Sequence, residues 1–327
     1  MATTGEHSGI RGALRSDGVL AAGRVVADYV IDAHVGSGSS ADVYRAHRID
    51  DARPVALKVL HTRSVDPIRL RDRFDREFTI ASLLHHPNIV EMYARGEIPS
   101  VDSPDTDSPA TTLWIAMEYV AGTSAMNLIP SEKTEPDIAR IVALGDQIAA
   151  ALDHAHRHDV LHRDVKPGNI IVESDGHSTH AVLTDFGIAQ LLDDARPLAR
   201  NGRVQGSIAY AAPELLTAQR LSPQTDEYAL AASMFELLVG SPPYPRPTAF
   251  AVTHAHLHDQ VPLLTRTRPW LPSSLNSVFA KALAKDPRDR YDTCGEFTAI
   301  ITRTLRDVPV PEPAPPRRFG LPRKSDS

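Results

Sequence analysis

The chain has 327 residues, 42% hydrophobic and 23% charged, close to globular averages, which excludes a mainly disordered chain, a collagen-like one and a small disulfide scaffold. Lys plus Arg is 35 and Asp plus Glu is 41, a net charge of −6, which gives no electrostatic footprint for nonspecific nucleic-acid binding. Cys294 is the single cysteine, so no intramolecular disulfide can form, which fits a reducing compartment.

Residues 1–27 are rich in Gly, Ala and Ser, and a flexible arm is expected there. Met1 to Arg24 shows no basic start followed by an apolar run, so no signal peptide is expected. Short β-like runs follow at Tyr29–Ile31, Asp42–Ala46 and Pro54–Leu60. Phe74, Phe78, Ala81 and Leu84 recur at spacings of four and three, which predicts a helix over 66–84. Strands are predicted at 89–94 and 113–119, separated by an exposed loop over 99–109 full of Pro, Ser and Asp.

Beyond Gly122 the pattern is mostly helical, with an amphipathic helix over 138–158 and further helices over 224–238 and 275–283. Short strands return at 170–172 and 182–184. The run Ala229–Val239 is interrupted by Ser233 and Glu236 and is shorter than the ~18 residues a membrane helix needs; it reads as a buried core helix. Six of the last 21 residues are Pro, so 307–327 is expected to be a disordered tail. The expectation is an α+β fold: a small β-rich lobe with one main helix over about 28–120, and a larger, mainly helical lobe over about 121–306. With neither leader nor membrane span, a cytoplasmic location is expected.

Chemistry concentrates at a few places. Gly36-Ser37-Gly38-Ser39-Ser40-Ala41 lies between two strand-like runs; glycines there let backbone amides approach a polyphosphate, and a plain hairpin turn is the competing reading. Lys58 sits inside the apolar run Val55–Val59, where a surface lysine is equally common, but Glu77 on the following helix is placed to hold it toward phosphates. Asp164 and Asp185, with the amide oxygen of Asn169, make a hard oxygen-donor set of the kind Mg²⁺ shares with substrate phosphates.

Five motifs occur together and in order: the Gly-rich loop, Val55-Ala56-Leu57-Lys58, His162-Arg163-Asp164 with Asn169, Asp185-Phe186-Gly187, and Ala212-Pro213-Glu214. The set resembles the signature of protein kinases over roughly residues 28–306. Leu84–Val90, Met117–Gly122 and Ala155-His156 are similar to the bacterial Ser/Thr branch of eukaryotic-like kinases. The resemblance implies a two-lobed ATP- and Mg²⁺-dependent enzyme acting on protein Ser/Thr hydroxyls, the alternative being a scaffold that binds nucleotide or partners without turnover. It implies Asp164 as the group that accepts the hydroxyl proton, Lys166 at the γ-phosphate, and Asn169 and Asp185 on the metal. Lys58, held by Glu77, meets the α- and β-phosphates. Val35, Gly36, Ser37, Gly38, Val43, Ala56 and Ile171 would enclose the nucleotide, Met117 would back the pocket, and the backbone of Glu118 and Val120 would read the adenine edge. Glu214 with Arg290, and Asp226, are implied as structural braces.

Relatives with Arg beside the catalytic Asp are commonly activated by a phosphate between Asp-Phe-Gly and Ala-Pro-Glu. Arg163 is present, yet 186–206 contains no Ser, Thr or Tyr; activity is therefore expected without phosphorylation of this segment. Two histidine runs, His154/His156/His158 and His254/His256/His258, resemble metal motifs. On a helix His154 and His158 share a face, but no nearby Cys or carboxylate completes a tetrahedral set, and no metal site is expected. Cys294 is expected to be buried and unreactive.

Overall fold

A computed structural model of the chain describes residues 20–38, 41–60, 67–99, 111–174, 178–186, 199–200, 203–204 and 206–311. Strands β1 (Val25–Val26), β2 (Tyr29–Ser37), β3 (Ala41–Arg48), β4 (Asp51–Leu60), β5 (Met92–Pro99) and β6 (Thr111–Glu118) form one antiparallel sheet in the order β1-β2-β3-β4-β6-β5. Successive side chains on a strand face opposite ways. Tyr44, Ala46, Leu57, Val59, Trp114 and Ala116 therefore share one face, where they pack with Val26, Tyr29 and Ile31 into a buried cluster. Gly96 pairs with Trp114, and a Cβ there would lie 2.5 Å from the indole, so only glycine lets that ring close over β5. The opposite face belongs to the site: the register sets Val43 beside Lys58, Lys58 beside Ile115 and Ala56 beside Met117.

Helix α1 (Pro67–Ala81) crosses this lobe, with Phe74, Phe78, Ala81 and Leu84 buried as their spacing requires. The strand expected at 89–94 starts later and runs to Pro99. Ile89 and Val90 are buried but serve the other lobe, where Ile89 bridges to Leu183 and Val90 N donates to Leu183 O at 3.0 Å. Residues 100–109 of the expected loop lie outside the described residues. The arm expected over 1–27 is shorter, because Arg24 and Val26 are buried and Val25–Val26 pairs with β2; residues 1–19 lie outside the description.

The second lobe is built on α2 (Ile138–Arg157), whose first turn is capped by Asp137 accepting from Arg140 N at 3.1 Å. A small sheet of β7 (Thr123–Ser124), β8 (Ile170–Ser174) and β9 (Thr179–Leu183) packs on it. A two-stranded ribbon, β10 (Ala199–Arg200) with β11 (Arg203–Val204), precedes α3 (Pro213–Leu216). Helix α4 (Pro223–Val239) is buried on all sides from Thr225 to Val239 and forms the axis of the lobe. It ends at Gly240, whose φ is +96° and where a Cβ would lie 2.5 Å from Pro130 O, so both the backbone and the space require glycine. Around it lie α5 (Ala249–His258), α6 (Leu264–Thr267), α7 (Ser274–Ala282) and α8 (Cys294–Leu305). Of the tail expected over 307–327, Val308 packs against the core, and 312–327 lie outside the described residues.

Candidate active site

The loop between α2 and β8 is shaped from beneath by Asp226, wholly buried in the first turn of α4. Its Oδ2 accepts from His162 N and His156 Nε2, both at 2.8 Å, and its Oδ1 from Arg163 N at 2.7 Å. These bonds hold Arg163 at φ +67°, a conformation a residue with a Cβ adopts only under constraint. Burial pushes the Asp226 carboxyl up, but the hydrogen bond and charge of His156 outweigh it, so the group stays below its ordinary range and ionised.

His162 joins the two acid-bearing segments. Its Nε2 donates to Thr184 O at 2.8 Å, its Nδ1 accepts from Asp164 N at 3.2 Å, and its ring meets Phe186 edge-on at 4.6 Å. Asp164 Oδ2 accepts from Lys166 Nζ at 2.6 Å and from Asn169 Nδ2 at 2.9 Å, while Asn169 Nδ2 also donates to Asp164 O at 2.8 Å. With its amide nitrogen committed to Asp164, Asn169 keeps Oδ1 as an oxygen donor. Asp185, at φ +66°, accepts from Lys58 Nζ at 2.6 Å. Burial opposes ionisation of Asp185, yet the charge and hydrogen bond of Lys58 bring its carboxyl below the usual range. Each acid thus lies beside an ammonium group, Lys166 at Asp164 and Lys58 at Asp185.

Above them the sheet supplies the walls. Gly36 and Ser37 end β2, and Gly38 N donates to Ala41 O at 2.8 Å. A Cβ at Gly36 would meet nothing within 4 Å, so open space lies over the strand. Val35 is exposed, Val43, Ala56, Val120 and Ile171 are half-buried, and Met117 is buried. Glu118 N donates to Glu91 O at 2.9 Å, which fixes the strand end before the crossing between lobes. Glu77 lies on α1; its side chain is outside the described residues, and Asp185 is the partner found for Lys58.

The platform beside the loop rests on a buried bidentate pair: Arg290 Nη1 and Nη2 each donate to Glu214 at 2.8 Å, and Thr225 Oγ1 donates to the same carboxylate at 2.9 Å. Tyr210 OH donates to Glu236 Oε2 at 2.5 Å, and burial pushes the Tyr210 phenol up. The partnership of Glu236 with Tyr210, and the way Gln147 ties Asn88 to β9 (3.0 Å to Asn88 Nδ2, 2.8 Å to Ala181 N), had no sequence signal beyond a polar residue inside an apolar helical run.

A family model for the protein kinase domain matches residues 29–299. The chain belongs to the protein kinase domain family. It is similar to the Mycobacterium tuberculosis serine/threonine-protein kinases PknF, 37% identical over 298 residues, and PknJ, 37% identical over 305 residues. Each match covers 90% of this chain, against 60% of PknF and 49% of PknJ, so the chain spans about half to three-fifths of these relatives. The crystal structure of the M. tuberculosis PknI kinase domain superposes with a TM-score of 0.68 at 32% identity, covering 88% of this chain and 100% of that one. The two-lobed fold is that of a protein kinase.

Proposed function

We propose that this chain is a Ser/Thr protein kinase that transfers the γ-phosphoryl group of ATP to protein hydroxyls, with residues 28–306 as the kinase domain. The observation that carries the reading is the joining of the Asp164–Lys166–Asn169 cluster and the Lys58–Asp185 pair through His162. Little covalent chemistry falls to the protein in phosphoryl transfer; position and charge neutralisation supply most of the rate.

In this reading the nucleotide lies against Val35, Val43, Ala56, Met117 and Ile171, with the backbone of Glu118 and Val120 at the adenine edge. Gly36, Ser37 and Gly38 cover the phosphates. The hard oxygen set of Asn169 Oδ1 and Asp185 fits Mg²⁺, which supplies charge neutralisation across the phosphates when bound. Lys58 leaves Asp185 for the α- and β-phosphates, held there by Glu77. The acceptor oxygen bonds to the γ-phosphorus as the bond to the β–γ bridging oxygen breaks, and the hydroxyl proton passes to Asp164. Lys166, already on Asp164, neutralises the transferring group. Retention of every one of these groups favours turnover over a scaffold role. No helix among the described residues is long and apolar enough to cross a membrane; the need for ATP favours a cytoplasmic site of action.

Labelled ATP with casein as a generic substrate tests the reading. Transfer to serine and threonine that is lost in Asp164→Asn is expected; no transfer by a folded, nucleotide-binding wild type would overturn it.

A further inference from the structure

The three histidines that alternate along α5 do not share a side. His254 and His258 are exposed and His256 is wholly buried, because residues two apart on a helix point away from each other. Both nitrogens of the buried ring are engaged. Nε2 donates to Ala209 O at 3.1 Å, since a carbonyl only accepts, and Nδ1 therefore accepts from Tyr228 OH at 2.8 Å. We propose that His256 is a positioning residue for the protein substrate: it holds the Ala209 carbonyl and thereby fixes the turn 206–210 against which the acceptor chain docks. The proposal rests on the kinase reading above and adds to it the group that orients the docking segment.

The turn lies at the site. Its last residue, Tyr210, donates to Glu236 and lies near enough to Asp164 to feel that carboxylate's charge. Ala209 and Tyr210 are only half-buried, which leaves one side of the turn open to a ligand. Yet the turn is a poor scaffold by itself. It is a 3₁₀ helix, Gly206–Tyr210, a class with weak hydrogen-bond geometry, and the bond that follows it, from Ala211 N to Ile208 O, is 3.3 Å long. Order has to come from outside, and α5 supplies it twice. Ile208 is buried in a cluster with Ala249 and Val252 of α5, with Leu216 packed on it, an apolar contact that is not directional. The His256 bond adds direction. The Ala209 carbonyl and the Tyr210 amide belong to one planar peptide, so holding the oxygen also sets the amide nitrogen from which Tyr210 starts.

The support behind His256 is itself held. Lys285 Nζ donates to His256 O at 2.8 Å and closes the C-terminal end of α5. Burial, then the charge of Lys285, keeps the ring from taking a second proton, so Nδ1 remains an acceptor. Tyr228 is wholly buried in α4, and the Arg290 guanidinium that grips Glu214 lies over its ring, 4.8 Å from the centroid. A continuous path of side chains thus runs from the Ala209 carbonyl through His256, Tyr228 and Arg290 to Glu214, and ties the docking turn to the brace under the platform. Tyr228 OH selects the tautomer: without it the proton is free to sit on Nδ1, and Ala209 O then faces a lone pair.

Steady-state kinetics with casein and ATP varied separately test the proposal, on wild type, His256→Phe, His256→Gln and Tyr228→Phe, with folding checked by thermal melts. His256→Phe keeps a ring in place and removes the donor, so KM for casein should rise about three- to tenfold, the scale of one hydrogen bond, while KM for ATP holds. His256→Gln, which keeps an N–H of comparable reach, should recover most of the loss. Tyr228→Phe should raise the casein KM by a smaller factor and add nothing in the His256→Phe background, because the two residues act on one carbonyl. Should His256→Phe not fold, Tyr228→Phe against the wild type decides. A wild type that transfers no phosphate overturns the kinase reading and this proposal with it. Transfer by the wild type with a casein KM unchanged in the folded variants, or raised in step with the KM for ATP, overturns the proposal alone.

Discussion

Asp164 accepts hydrogen bonds from Lys166 and Asn169 on one carboxylate oxygen, an arrangement that fixes the direction of the group. In the proposed mechanism Asp164→Asn keeps the shape but removes the group that takes the hydroxyl proton, so kcat should fall by about 10²-fold or more while nucleotide affinity holds; stopped assays and nucleotide titration separate the two. Glu227 is a different kind of residue. It is buried in α4, neither carboxyl oxygen has a partner among the described residues, and burial raises its pKa to about 9. Arg290 and Lys281 pull it down, whereas Glu214 and Glu296 push it further up. The folded form therefore binds this proton more tightly than the unfolded chain. That stabilisation is complete below the ordinary carboxyl value of 4.5 and is lost as pH rises toward about 9. Glu227→Gln removes the titration, so its melting temperature should fall less across that window than the wild type's and exceed it near the alkaline end. Parallel pH dependences for the two proteins would show that Glu227 finds a partner after all.

At the scale of elements, legibility followed periodicity. Helices α1 and α2 each bury one stripe, and their spacing of apolar residues could be read directly. Helix α4 is buried all round, so it has no stripe, yet its length and apolar run still marked it. Helix α5 went unread because its apolar residues alternate with His254, His256 and His258, and His256 is itself core: burial lowers its pKa to about 4, and its Nδ1 pairs with Tyr228 OH at 2.8 Å. Helix α8 went unread although Phe297, Ile301 and Leu305 are spaced by four and all buried. Motif residues were legible by type and order; what no pattern could supply was the pairing of Lys58 with Asp185 across 127 positions. The ribbon β10–β11 bears on activation. Its register pairs Ala199 with Val204 and Arg200 with Arg203, and the intervening dipeptide in the sequence is Asn-Gly, a composition favoured between hairpin strands. The sequence has no hydroxyl between Phe186 and Ser207, and the pairing of residues 199–200 with 203–204 is a backbone contact that needs no phosphate. Phosphatase-treated protein should keep its initial rate with no lag after ATP is added. A rate that collapses and recovers together with phosphate on Ser207 or Tyr210 would show that the ribbon is not sufficient.

Across the whole molecule, the lobes meet through two kinds of contact. The segment 88–90 is hydrogen-bonded to Leu183 on both sides, a fixed joint. The Lys58–Asp185 ion pair spans the cleft at 2.6 Å, and it must open if Lys58 is to reach phosphates and Asp185 a metal. Without the ion, nucleotide must separate a buried lysine from its carboxylate and leave that carboxylate unpaired, which costs more than the pair is worth. If Mg²⁺ binds Asp185 as proposed, Asp185 would exchange one cation for another and the cost would be offset. Nucleotide binding should therefore be coupled to Mg²⁺ through Asp185. A ligand at a hundredfold excess over its Kd stabilises a protein by about 2.7 kcal/mol, which for a chain of this size is several degrees in Tm. ATP with Mg²⁺ should give the wild type a larger shift than ATP with chelator. In Asp185→Asn the ion pair is gone and the metal ligand weakened, so the shift with ATP alone should grow and the increment from Mg²⁺ should shrink. Thermal melts of both proteins, with and without chelator, read the four shifts directly; an Mg²⁺ increment as large in the variant as in the wild type would mean that Asp185 neither holds the ion nor restrains Lys58.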